Sequence, residues 1–237
     1  MKQIIPLIVV LLSCFWAQAN EDDKKLQALI EISESGSYAV SFNKDDLFCA
    51  KANKYTDAKK NVNKDAKLSA LEKAKHCGLT EAEYNAIYDY TVEGNFAINA
   101  VLRKQKSATA EDTQKIKLIQ SGLNKIAPVE GMTVRQTDLP AEEFKKHIPG
   151  KIVNYPAFTS TSINLTYDRD QEFTFFILVK NCKYISALSN ITTEQEVLCA
   201  PGANFKIKAY AKREVAIDSS DPLRKTLHHY YLMEQVN

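Results

Sequence analysis

The sequence predicts an α+β fold, with helices leading and strands following. Residues from about 22 to 126 are rich in Ala, Lys, Glu and Leu, with no proline between Pro6 and Pro128. Beyond Pro128, short β-prone runs are separated by Pro, Gly, Asn and Ser. Helices and strands do not alternate strictly, which separates this pattern from a doubly wound α/β sheet. The expectation is a helical front over about 22–126 and a strand-rich back over about 128–237.

The first 19 residues carry an export pattern. Lys2 supplies the positive end, Ile4 to Trp16 the apolar core, and Ala17-Gln18-Ala19 the small-x-small cleavage site. That core falls short of the roughly 20 apolar residues needed to span a bilayer. Cleavage is expected after Ala19. Leu11-Leu12-Ser13-Cys14 also resembles a lipobox, the alternative in which Cys14 is lipidated. Residues 20–237 are long enough for one domain with a sizeable core. The formal charge of +2 becomes +1 once Lys2 is removed, too small a field for nucleic acid or an anionic membrane. The stretch Leu227 to Asn237 is mixed and polar, without the tail of a lipid anchor.

Four cysteines follow the signal: Cys49, Cys77, Cys182 and Cys199. An even number in an exported chain suggests two disulfides, of which sequence allows three pairings. The local one, 49 with 77 and 182 with 199, is preferred. Their spacing fits no zinc site, and His76, His147, His228 and His229 are read as surface or core groups, so no metal is expected.

Along the front, Thr80 and Glu83 form a capping box opening a helix with Tyr84, Ile87 and Tyr88 on one side. A second helix is expected over Phe96 to Lys104, with Phe96, Ala97, Ala100 and Val101 on one face. Thr109 caps a third, whose Ile116, Ile119 and Leu123 recur at helical spacing. Along the back, strands are expected at Met132 to Arg135, Ala157 to Thr161, Phe173 to Val179, Glu196 to Cys199 and Asn204 to Ala211. Phe173 to Val179 is almost continuously apolar, as suits a strand buried on both faces.

Three features of the back half carry chemistry. Arg135 ends a strand, where a guanidinium can hold phosphate by forked hydrogen bonds. In Phe158-Thr159-Ser160-Thr161-Ser162, strand alternation puts Ser160 and Ser162 on one face and the threonines on the other. Glu194-Gln195-Glu196, read as extended chain, turns both carboxylates to one side, where repulsion raises the pKa of one. Each feature alone has a bland reading as a solvated arginine, an exposed Ser/Thr strand or a polar edge. In this order and spacing, the set Arg135, Ser160-Thr161-Ser162, Glu194-x-Glu196 resembles the R-S-E class of bacterial mono-ADP-ribosyltransferase toxins. Tyr90-Thr91, Ile98-Asn99 and Leu102-Arg103 resemble that family's helix before the catalytic strands. Pro201-Gly202 and Phe205 resemble the turn and strand after its catalytic loop. The likeness runs from Thr80 to Ala211 and is nearest to the enzymatic components of clostridial binary toxins and small single-domain vibrio toxins.

The resemblance implies that residues 20–237 form one catalytic domain with a mixed two-sheet β core, using NAD⁺ as substrate. Arg135 would hold the diphosphate and nearby ribose, and Ser160 would hold the catalytic Glu196. Thr161 and Ser162 would join Arg135, Ser160 and Glu196 in lining the NAD⁺ site. Glu196 would stabilise the oxocarbenium-like state, and Glu194 would receive the proton of the target guanidinium, since glutamate at this position goes with arginine specificity. The partner implied is a host protein carrying that arginine, an actin-like protein among the candidates. The loop from about Ser186 to Thr193 would face it. Ile163 to Asp170 would cover the nicotinamide, with Arg169 as a further phosphate contact. A Cys182–Cys199 disulfide would staple the target-facing loop. Gln136 departs from the small or basic residue common after the signature arginine. The sequons at Asn164 and Asn190 are read as chance in a bacterial protein. The rivals are an NAD⁺ glycohydrolase, a non-catalytic binding protein of the same fold, and a disulfide-stapled adhesion module, which explains the cysteines but not the three motifs.

Overall fold

The computed structural model describes residues 21–34, 70–164, 171–189, 194–218 and 221–237. The export signal, Cys49 and Arg169 lie outside these, as does Asn190.

In the front half, α1 (residues 21–34) precedes α2 (Ala70–His76), α3 (Glu81–Asp89), α4 (Asn95–Leu102) and α5 (Ala110–Leu123). The Thr80 capping box closes as expected: Thr80 N donates to Glu83 Oε2 at 2.7 Å, and Glu83 N to Thr80 Oγ1 at 3.2 Å. Thr109 makes the same reciprocal cap with Asp112. Glu83 does more than cap. It is buried between α3 and α5, where it accepts from Ser121 Oγ at 2.6 Å and Lys125 Nζ at 2.6 Å. The two helices approach closely because residue 122 is glycine: a Cβ there would stand 2.8 Å from Ile87 Cδ1.

The second expected helix is present, but its face is not the expected one. A π-helical turn, Tyr90–Gly94, joins α3 to α4. Such a turn inserts an extra residue and rotates the helix that follows. Consequently α4 buries Ile98, while Ala97 is exposed and Phe96 is 83% exposed.

The back half contains β1 (Pro128–Thr137), β2 (Ile152–Tyr155), β3 (Thr159–Ser162), β4 (Phe173–Tyr184), β5 (Glu196–Cys199), β6 (Ala203–Asp218) and β7 (Asp221–Val236). A short α6 (Ala141–Phe144) precedes β2. The five expected strands all exist, and β4 and β6 run well beyond their expected ends. Two strands carried no expectation. β2 is a short edge strand, whereas β7 lies inside the array, parallel to β4 and antiparallel to β6. The mixed, polar-looking tail is therefore a central strand. Its Tyr230, Tyr231, Leu232 and Met233 are all buried, as is His228, whose ring packs beside that of Tyr230.

The strand order is β1-β3-β5-β4-β7-β6-β2, and β1 also pairs with β4. Pairing β1 to both β3 and β4 bends the array back on itself. The space between its layers is filled by Val197 and Cys199 of β5 against Phe175 and Ile177 of β4, Phe205 of β6 and Tyr231 of β7. A second core joins α2, α3 and α5 to Phe158 and Leu198. In a third, Leu26, Leu29 and Ile30 of α1 cover Met132, Phe176 and Tyr230 on the opposite face of the sheet. Cys182 and Cys199 are joined in a disulfide, as expected, with Cα atoms 4.2 Å apart across the β4–β5 ladder. No helix among the described residues is long and apolar enough to cross a membrane.

Lys125 and the hydroxyl of Ser121 hold the Glu83 carboxyl down to a pKa of about 2 against burial, which pushes it the other way. Because the folded value lies below the ordinary one, the ionised group's contribution is complete above pH 4.5 and is lost as pH falls towards 2. Glu83→Ala is expected to cost about 2–3 kcal/mol at pH 7. Guanidinium unfolding of both proteins should show a smaller gap at pH 3 than at pH 7.

Candidate active site

The face shared by β3 and β5 holds the expected residues together. Ser162 lies directly opposite Glu196 in the antiparallel ladder, and Ser160 opposite Leu198. Ser160 and Glu196 are thus diagonal neighbours on one face, and Ser160 Oγ donates a short hydrogen bond to Glu196 Oε1. Glu196 is only 5% exposed. Burial pushes its pKa above the usual carboxylate range, opposed by the Ser160 hydrogen bond and reinforced by the charge of Glu194.

Arg135 comes from β1, whose Val134 pairs with Ser162 of β3. Its Nη1 donates to the Ser160 carbonyl at 2.7 Å, so Ser160 ties arginine to glutamate through its backbone and its side chain. Burial pushes the guanidinium pKa down, yet an arginine starts so high that it stays charged at neutral pH.

Glu194 does not sit as the extended reading required. Gln195 has φ +49, in the left-handed region, and β5 begins only at Glu196. Glu194 therefore lies on the loop, exposed, while Glu196 is buried. A non-glycine residue in that conformation costs about 1–2 kcal/mol. Flanking hydrogen bonds hold it: Ser162 Oγ donates to Glu194 O at 2.6 Å, and Ile163 N to Gln195 O at 3.3 Å. Ser162 thus braces the loop backbone, and accepts from Asn164 N at 2.8 Å. Thr161 faces the other way. Its hydroxyl is buried and donates to Val197 O at 3.0 Å, so its part in this site is to hold the ladder.

The helical layer contributes groups that the three motifs did not include. Tyr90, at the start of the π-turn, is buried against Phe158 with ring centroids 5.2 Å apart. Burial pushes its pKa up to about 12, with the charge of Glu196 adding to the rise. Asn99 Nδ2 donates to its hydroxyl at 3.0 Å, while Asn99 Oδ1 is buried with no hydrogen-bond partner among the described residues. An orphaned buried acceptor costs free energy unless a ligand supplies a donor. Arg103, exposed one turn further on, acts on the charge of both Tyr90 and Arg135. The signal for these groups was already in the sequence, in the Tyr90-Thr91, Ile98-Asn99 and Leu102-Arg103 pairs of the family resemblance. Among the described residues no group of three His, Cys, Asp or Glu could hold a metal.

An arginine and a glutamate joined through one serine, with a second glutamate two residues ahead on a loop, make up the arginine–serine–glutamate arrangement. The sequence model of the ADP-ribosyltransferase exoenzyme family matches residues 51–234, and the chain belongs to that family. It is similar to the NAD(+)–protein-arginine ADP-ribosyltransferase Tre1 of Serratia proteamaculans, 35% identical over 130 residues, covering 54% of this chain and 29% of Tre1. The fold is similar to that of the ADP-ribosyltransferase Vis of Vibrio splendidus, solved in complex with agmatine. There the TM-score is 0.53 and the identity 25%, over 76% of this chain and 90% of Vis. It is also similar to the enzymatic component C2-I of the Clostridium botulinum C2 toxin, with TM-score 0.55 and 22% identity over 67% of this chain and 44% of that one. The chain spans 15% to 59% of the length of the curated relatives it matches.

Ser160 and Glu194 pull the proton affinity of Glu196 in opposite directions, with Arg135 on the side of Ser160. Ser160→Ala is expected to move the Glu196 titration further up, and Glu194→Gln to move it down. Carbon-13 NMR of the carboxyl carbons checks both signs.

Proposed function

We propose that this protein is a secreted mono-ADP-ribosyltransferase that moves ADP-ribose from NAD⁺ to an arginine side chain of a target protein. The observation that carries the reading is the division of labour between two glutamates, one buried and gripped by Ser160, the other exposed two residues ahead. The arginine named in Tre1 and the guanidinium of the agmatine bound to Vis support the choice of acceptor. The export pattern of residues 1–19 supports secretion, with 20–237 as the catalytic domain.

In this reading Arg135 pairs with the diphosphate of NAD⁺, and Tyr90 and Asn99 line the cleft beside the nicotinamide ribose. The bond between C1′ of that ribose and nicotinamide breaks, and its electron pair leaves with nicotinamide. The ionised Glu196 faces the positive charge that develops on the sugar, an electrostatic stabilisation of the kind worth about 10²–10³ in rate. Because its pKa is raised, the ionised form is populated only above the ordinary carboxylate range, so activity falls off on the acid side. A guanidinium is protonated at neutral pH and a poor nucleophile. Glu194 takes its proton as the nitrogen bonds to C1′. The exposure of Glu194 supports a second reading, NAD⁺ glycohydrolysis, in which water fills the acceptor position. The target is a host protein presenting an arginine, with actin-like proteins among the candidates.

Purified protein would be incubated with labelled NAD⁺ and agmatine. The wild type should label agmatine. Glu194→Gln should lose labelling by about 10²-fold or more while still releasing nicotinamide, and Glu196→Ala should lose both. Nicotinamide release without labelling of agmatine or of any lysate protein would establish the glycohydrolase. Neither activity would leave a non-catalytic binding protein.

A further inference from the structure

The turn that carries Glu194 breaks the alternation of an extended chain, in which successive carbonyls point to opposite edges. Glu196 O and Gln195 O still obey that rule. The first accepts from Ile185 N at 3.0 Å, just past β4, and the second from Ile163 N at 3.3 Å, just past β3. Glu194 O should then turn back towards β4. Instead it accepts from Ser162 Oγ at 2.6 Å, again on the β3 side. The break falls at Gln195, whose φ of +49 rotates one peptide plane against the next.

The turn is clasped to the end of β3. Ser162 Oγ spends its hydrogen on Glu194 O, and its lone pair accepts from Asn164 N at 2.8 Å. Ile163 N holds Gln195 O, while the Ile163 side chain, 2% exposed, is anchored in the same core as Val197. Both peptides flanking Gln195 are thereby fixed. Glu194 is exposed, so its direction is set by the backbone that carries it. A local break in strand geometry beside an active site commonly serves to re-aim a side chain in this way.

The two acceptors open to ADP-ribose differ in what they need from Glu194. With arginine, a guanidinium nitrogen bonds to C1′ and its proton passes to the Glu194 carboxylate. Until that proton is taken, the cation is a poor nucleophile. With water, the oxygen brings its own lone pair to C1′, and its proton passes to the surrounding solvent. A misaimed Glu194 therefore penalises arginine more than water.

We propose that the Gln195 turn, clasped by Ser162 and Ile163, sets the acceptor specificity: it divides ADP-ribose between arginine and water by aiming Glu194. The inference rests on the reading of Glu194 as the base for the guanidinium. Gln195 and Ser162 act in this as positioning residues, through the backbone of Glu194.

The test is the ratio of labelled agmatine formed to nicotinamide released, measured for each protein with labelled NAD⁺ and agmatine. A loss of folded protein lowers both quantities and leaves the ratio alone, so the ratio reports aim and not stability. Gln195→Val, whose branched side chain resists a positive φ, is expected to lower the ratio roughly tenfold. Ser162→Ala removes the bond to Glu194 O and should lower it by a similar factor. Gln195→Gly adopts the left-handed conformation freely and should stay within about twofold of the wild-type ratio. In a Glu194→Gln background, Gln195→Val should lower the ratio no further. Three results would overturn the turn as the specificity element while leaving the transferase reading intact. They are a wild-type ratio in Gln195→Val or Ser162→Ala, a Gln195→Gly as impaired as Gln195→Val, and a further fall in the Glu194→Gln background. A wild type that releases nicotinamide and labels nothing would overturn both.

Discussion

A carboxyl group taken out of water is the constraint around which this molecule is arranged. Glu196 sits at the first residue of a short strand, and its burial favours the neutral acid. The Ser160 hydroxyl opposes that tendency, and it can do so only because β3 and β5 are paired in a fixed register. A slip of one residue would turn Ser160 and Glu196 to opposite faces. The register is held in turn by Thr161 from the other face and by the Cys182–Cys199 disulfide at the far end of β5. Closing a loop of that size contributes about 3 kcal/mol in the chain-entropy account.

Among the described residues two non-glycine positions are left-handed, Lys104 and Gln195, and the second lies between those cysteines. Gln195 at φ +49 twists the backbone between an exposed and a buried glutamate. An extended chain would have brought both carboxyls to one side, where their repulsion would be greatest. The left-handed residue separates their environments instead, leaving one in solvent and one in the core. Ser162, which a face argument alone would set beside the carboxylates, spends its hydroxyl on bracing this turn.

Much of the fold was legible because its signals are local. Capping boxes at Thr80 and Thr109, the alternation in Thr159 to Ser162, and the apolar run from Phe173 each depend on neighbours in sequence. What escaped depends on tertiary context. The π-turn at Tyr90–Gly94 has no distinct composition, so the face of α4 was misread. In β7, histidines and glutamine interrupt the apolar positions, and its burial comes from strands far away in sequence. The three motifs located the glutamates, serine and arginine. They could not reveal the hydrogen bond between His147, which follows α6, and Tyr155 on the edge strand β2.

The position of β7 has a consequence for how the molecule comes into being. β7 joins β4 to β6, and through β6 to β2, which carries Tyr155. Strands β1 to β6 can all have left the ribosome while the array still lacks the member that unites its halves. The β4–β7 pairing is also parallel, a contact that hairpin formation cannot supply early. Until β7 is present, β4 and β6 therefore lack the strand that pairs with both of them.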